Sequence, residues 1–208
     1  MFFIEEQNDL RLFFLHLYMI NIMPYDTSWP KIFNELKKIY LQLLSDDIIS
    51  IEHVGSTAIP ELYAKPVLDI DIIISSKSIL GNIISKLESV GYIYRGELGI
   101  EDRYAFSQSK EEVPYNISTK SWMKHNLYVC VEGSLSLQNH LLLKDFLLQN
   151  SEKVKEYSIL KQKLALQYSN DIDNYVKYKT PFIVDILEKQ GIDKVAIDQI
   201  KKANGYDR

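Results

Sequence analysis

Residues 67–74, VLDIDIII, constrain the fold more than any other part of the chain. The run is too continuously apolar for a strand with one face in water, so it predicts a strand covered on both sides. Yet it carries Asp69 and Asp71. Residues i and i+2 of a strand project from one face, so the two carboxylates stand side by side with Ile70 on the other face. Burying two like charges is costly unless a cation or strong donors lie between them. A hard divalent ion, Mg²⁺ or Mn²⁺, meets that need, held by carboxylates together with phosphate oxygens and water. The plain alternative is an Asp-x-Asp at a strand end that faces water.

Upstream, the β-branched run at 48–54 ends in Gly55-Ser56. Glycine permits close backbone approach, and the N–H groups of such a turn, with the Ser56 and Thr57 hydroxyls, can cradle phosphate. A Gly-Ser pair alone is a turn. Followed 13 residues later by Asp69 on the next apolar run, it forms the apparatus of metal-assisted phosphoryl or nucleotidyl transfer.

The rest of the chain supplies the scaffold. Residues 28–45 carry Ile32, Phe33, Leu36, Ile39, Tyr40, Leu43 and Leu44 at helical spacing, with Ser28 as N-cap and Pro30 in the first turn. Trp29 is expected to pack this helix on the sheet. A second amphipathic helix over 76–91 ends at Gly91 as C-cap. Strands are predicted at 20–23, 92–96, 104–108 and 127–131, with a polar loop over 109–124. Beyond Gly133 the pattern is helical over 137–149, 152–168 and 172–190, the last broken or kinked at Pro181. The expectation is therefore an α/β (α+β) fold: an N-terminal extension at 1–18, an α/β core at 19–134, a helical part at 135–190 and a tail at 191–208.

Composition narrows the setting. A net charge of −4 argues against a dedicated nucleic-acid binder. Cys130 is the single cysteine, so there is no disulfide framework; it reads as a buried, inert thiol, and a reducing cytoplasm is the expected home. The apolar stretch at 10–23 is interrupted by Arg11, His16 and Asn21, too short and polar for a membrane span, and lacks the features of a signal peptide. Met19 is the expected start of the fold.

Gly-Ser followed by Asp-x-Asp on the next strand looks like the signature of the DNA polymerase β-like nucleotidyltransferase superfamily. More closely, PYDTSW, EHVGSTAIP, AKPVLDIDI, GYIYRGELGI and the C-terminal DFLLQN, YSILKQKLA and YVKYKTPFI resemble the GrpB (UPF0157) family over residues 23–187. The resemblance implies a nucleotidyltransferase-like mixed sheet with flanking helices and a helical C-terminal part; some family members are fused to dephospho-CoA kinase. This chain departs in having Glu61-Leu62 after Pro60, and Tyr128 where a second histidine of the family's His-x-His strand is expected. Active nucleotidyltransferases usually offer a third carboxylate on a later strand. None lies in 127–131, so Glu132, His125 or Glu52 would have to substitute.

The supporting residues each carry two readings. His53, beside the Gly-Ser turn, is either a packed side chain or part of the site. Lys65 either neutralises phosphate or is a solvated loop residue. Arg95 and Arg103 resemble the family's arginines, as triphosphate clamps or surface ion pairs. His125 either contacts metal or substrate or has no part in the site. Lys144-Asp145, Lys161 and Lys179 align with family positions where a basic face meets the site. His16 and His140 carry no argument. The leading expectation is Mg²⁺-dependent nucleotidyl transfer with Asp69 and Asp71 on the metal and Gly55, Ser56, Thr57, Lys65, Arg95 and Arg103 on the nucleotide. The alternative is a module that binds a nucleotide or another phosphorylated small molecule without turnover.

Overall fold

The computed structural model describes residues 19–115 and 120–206; the expected extension at 1–18 lies outside the described residues. Helix α1 (Trp29–Leu44) buries Trp29, Phe33, Leu36, Tyr40 and Leu44 on one face. Pro30 stands in its first turn, as expected. Ser28 occupies the N-cap position, but its side chain makes no capping bond. Instead the Asp26 carboxylate accepts the Ser28 N–H at 2.7 Å, which lowers the Asp26 pKa. The predicted strand at 20–23 is reduced to a single bridge between Met23 and Ala64.

Five strands follow: β1 (Ser50–Val54), β2 (Leu68–Ile74), β3 (Tyr92–Gly96), β4 (Arg103–Gln108) and β5 (His125–Val131). They lie in the order β1-β2-β5-β4-β3. Only β2 and β5 are parallel; β1 runs antiparallel to β2, and β4 and β3 complete the antiparallel side. Helix α2 (Leu80–Ser89) links β2 to β3, and Gly91 after it has φ +99°, the left-handed turn that frees the chain to re-enter the sheet.

The strand period divides the sheet's two faces. One carries Ile51, Ile70, Ile72, Leu127, Val129, Tyr104 and Phe106 into the main core with α1 and α2. Asp69, Asp71 and Ile73 project from the other. There α3 (Leu135–Gln149) lays Leu137 and Leu141 over Ile73, Cys130 and Tyr128. Cys130 is fully buried, and burial pushes its thiol pKa up, as an inert packed cysteine requires.

Helices α4 (Ser151–Gln167) and α5 (Ile172–Lys189) complete the helical part, and α5 runs unbroken through Pro181. The β1–β2 connection supplies Ile59 and Leu62, which pack against Leu147, Val154, Tyr157 and Ile186. This contact clamps the Gly-Ser segment to the C-terminal helices. The segment expected as a tail contains α6 (Lys194–Ala203), whose Ile197 is buried against Val184 and Leu187. None of the described helices is long and apolar enough to cross a membrane.

Candidate active site

Strand β2 lies between β1 and β5, and its register fixes what surrounds the two aspartates. Asp69 pairs with Val54 on one side and Asn126 on the other; Asp71 pairs with Glu52 and Tyr128. Directly opposed residues share a face, with Cβ atoms roughly 5 Å apart. Glu52 therefore shares the face of the two aspartates, on β1 rather than on a later strand. Its carboxylate is ion-paired with Lys144 of α3 at 3.2 Å. On β5 the corresponding position is Tyr128.

Each aspartate is held differently. Asp69 Oδ1 accepts a hydrogen bond from Asn126 Nδ2 at 2.8 Å, and burial raises its pKa against the pull of Asn126, His140 and Lys179. Asp71 is fully buried; its Oδ2 bonds His140 Nδ1 at 2.7 Å, while Oδ1 is buried with no hydrogen-bond partner among the described residues. Burial opposes a charged His140, but the Asp71 carboxylate more than offsets it, so the imidazole pKa is raised. The sequence offered no signal for His140. It lies one helical turn before Lys144, outside the quoted motifs, and only the docking of α3 brings it to Asp71.

The Gly-Ser turn lies against the first aspartate. Gly55 has φ +69°, and a Cβ there would overlap the Asp69 carboxylate, standing 2.8 Å from Cγ and 2.9 Å from Cβ. Only glycine lets the backbone pass this close. Ser56 opens a single 3₁₀ turn, Ser56–Ala58. Thr57 is buried, and its hydroxyl is engaged by His53 Nε2 at 3.0 Å.

Three lysines converge from other directions. Lys65 precedes β2, Lys161 lies on α4 and Lys179 on α5. All three act electrostatically on Asp69. Lys65 and Lys179 lie over the Tyr175 ring at 5.8 and 5.6 Å, and Lys161 over Tyr157 at 4.7 Å. Burial, with the charge of Lys65, lowers the Lys179 pKa to about 8; burial, with the charge of Lys179, lowers that of Lys161 to about 6. Lys161 is 2% exposed, and its Nζ has no hydrogen-bond partner among the described residues. Without a partner Lys161 is therefore mostly the neutral amine at pH 7, and an anion beside these lysines would restore its proton.

Other expected residues are placed elsewhere. His53 and His125 project from the opposite face. His53 stacks on Phe33 with centroids 4.7 Å apart. His125 bonds the hydroxyls of Tyr92 and Tyr40 and the Met123 carbonyl. Burial lowers both pKa values to about 4, so both are neutral packed histidines away from the carboxylates. Glu132 is exposed beyond the end of β5, its N–H on the Ile74 carbonyl, about 13 Å along the strands from Asp71. Arg95 is exposed on edge strand β3, three strand spacings or about 14 Å from β2. Arg103 remains on the site face, its guanidinium 4.5 Å from the Tyr128 ring centroid. Among the described residues no three histidine, cysteine, aspartate or glutamate side chains form a ready cage for a metal ion.

Comparison with known proteins follows the same lines. The model of the family described as GrpB protein matches residues 19–189. UPF0157 protein YqkA of Bacillus subtilis is 29% identical over 183 residues, 86% of this chain, and the match spans 50% of that relative's length. The crystal structure of the conserved protein GrpB from Enterococcus faecalis superposes with a TM-score of 0.68 at 25% identity, over 82% of this chain and 99% of that one. The Cid1 poly(U) polymerase in its MgGTP-bound form superposes with a TM-score of 0.51 at 12% identity, over 86% of this chain and 54% of that one. That likeness is one of fold: a nucleotidyltransferase-like mixed sheet with flanking helices.

Proposed function

The chain belongs to the GrpB family, and we propose that it transfers a nucleotidyl group from a nucleoside triphosphate to an acceptor in the Asp69–Asp71 cleft. One observation carries the reading: the Gly55 backbone packs against the Asp69 carboxylate, and three lysines from separate elements, two of them over the Tyr175 ring, are coupled electrostatically to it. A polyphosphate lying between the lysines and the turn would relieve the crowded positive charge and accept hydrogen bonds from Ser56 and the turn's N–H groups.

The donors also fit a hard cation. Asp71 Oδ1 is buried and unpartnered among the described residues, and Asp69 uses Oδ1 on Asn126, leaving Oδ2 beside Gly55. Mg²⁺ or Mn²⁺ would be held by Asp69 and Asp71, completing its shell with phosphate oxygens and water. Such an ion, when bound, supplies charge stabilisation at the α-phosphate and acidifies an attacking hydroxyl. The chain's own residues do the rest. Lys65, Lys161 and Lys179 hold the β- and γ-phosphates, and His140 fixes the Asp71 carboxylate through Oδ2. The acceptor oxygen bonds to the α-phosphorus as the bond to the pyrophosphate oxygen breaks. Pyrophosphate departs towards the lysines, and the hydroxyl proton passes to water in the cleft.

Thermal melting with nucleoside triphosphates, with and without Mg²⁺, tests this. A ligand at 100 times its Kd adds about 2.7 kcal/mol of stability. Stabilisation that needs both metal and triphosphate, with pyrophosphate released in the presence of acceptor, supports transfer. A second reading, a module that binds a phosphorylated small molecule without turnover, is favoured by Tyr128 standing where β5 would offer an acid. Stabilisation by triphosphate without metal, and without pyrophosphate release, selects it.

A further inference from the structure

The site face of the sheet has two charged ends. Lys65, Lys161 and Lys179 face Asp69 at the start of β2. At the other end stands Arg103 on β4, register-paired with Cys130, which lies between it and Ile73 of β2. This places Arg103 on the site face, two strand spacings or about 10 Å from β2 and on the Asp71 side. Its guanidinium lies over the Tyr128 ring at 4.5 Å, and His140 lies on the same ring at a centroid distance of 6.2 Å. Tyr128 is thus held between Arg103 and the imidazole that bonds Asp71.

Arg103 is incompletely satisfied. Its Nε is buried with no hydrogen-bond partner, and no carboxylate forms an ion pair with it among the described residues. The neighbouring Asp102 is taken by Lys77 at 2.8 Å. Leaving a shielded donor of a charged group unmade is expensive, whereas the guanidinium fork matches a carboxylate or phosphate with two parallel bonds. The ring beneath it keeps the fork in place. Arg103 is half-buried, so a small ligand entering the cleft reaches it.

In-line displacement assigns this end a role. The attacking and leaving oxygens lie on opposite sides of the reacting phosphorus. If pyrophosphate leaves towards the lysines, the acceptor approaches from the side away from them. We propose that Arg103, on the platform of Tyr128, anchors the acceptor, and that the acceptor carries an oxyanion, a phosphate or a carboxylate, close to its attacking group. This rests on the transfer reading above for its direction, but the anion site itself stands on Arg103 and Tyr128.

The test is a titration of isotope-labelled full-length protein with inorganic phosphate, and separately with acetate, in metal-free buffer, following the Arg103 Nε–H resonance. Its loss in Arg103→Lys assigns the signal. Phosphate or acetate is expected to move it saturably, and the stronger ion names the acceptor's anionic group. In a Lys161→Met, Lys179→Met background the shift persists, and adding Arg103→Leu weakens the remaining phosphate binding by about tenfold or more. A signal that neither ion moves overturns the proposal, as does a shift that disappears with the two lysines. Loss of triphosphate binding in the lysine variants is read independently, so the transfer reading and the Arg103 site fail separately. Arg103 is not part of a buried core cluster, and unchanged melting of Arg103→Leu without ligand confirms that the fold is intact.

Discussion

Replacing Lys161 by methionine should make the ligand-free protein more stable and less able to bind. Lys161 is 2% exposed, its Nζ lacks a hydrogen-bond partner among the described residues, and burial, with the charge of Lys179, lowers its pKa to about 6. In the unfolded chain the ammonium titrates near 10.5. At pH 8 folding therefore strips a proton from a group that would otherwise keep it. The interval from 8 to 10.5, at 1.36 kcal/mol per pH unit, sets that cost at about 3 kcal/mol. Methionine fills a similar volume without the amine, so Lys161→Met should gain about 2–3 kcal/mol at pH 8. For a chain of this size that raises Tm by about 4–12 °C. Between pH 6 and 10.5 the unfolded chain binds more protons than the folded one, so this lysine makes wild-type stability rise with pH, by up to about 1.4 kcal/mol per unit. The variant loses that slope. Urea unfolding of both proteins at pH 7, 8 and 9 measures gain and slope together, and melting with triphosphate measures the lost binding. A variant less stable than wild type at pH 8, or one with an unchanged slope, would refute the reasoning, because Lys161 would then already be satisfied in the folded protein.

Gly55→Ala should cost about 2–3 kcal/mol, from the left-handed φ of +69° and displacement of the Asp69 carboxylate, and should abolish ligand-dependent stabilisation. Gly81→Ala, with open space around its Cβ, is the control, and calorimetry should find it neutral or slightly stabilising. Asp69→Asn with Asp71→Asn should remove the stabilisation by Mn²⁺ expected of wild type while keeping acceptors for Asn126 and His140; an equal Mn²⁺ response would remove the metal site. His53 and His125 stay neutral in the fold down to about pH 4 but charge near 6.5 when unfolded. Stability should therefore fall as pH drops from 6.5 to 4, by about 2 kcal/mol per histidine at pH 5, and His125→Gln should show a shallower fall in urea midpoint.

Local rules made much of this legible. The apolar run around Asp69 and Asp71 placed a covered strand, the period of two put both carboxylates on one face, and Gly55 marked a close backbone approach. Those are statements about neighbours along the chain, and the backbone enforces them wherever the strand ends up. The same period already set His53 opposite to Glu52, and the structure buries it against Phe33. Pro181 was less informative, because α5 absorbs it without breaking. What the sequence could not supply was the identity of the neighbours across space. Pairing β2 antiparallel to β1 set Glu52 on the face of the two aspartates and left Tyr128 on the β5 side. Docking α3 brought His140 onto Asp71, and clamping α4 and α5 against Ile59 and Leu62 brought lysines far apart in sequence within electrostatic range of Asp69. Strand order kept Arg103 on the site and left Arg95 at the edge. Each of these depends on register and on which apolar faces bury each other, quantities set by long-range packing, so only the tertiary structure decided them.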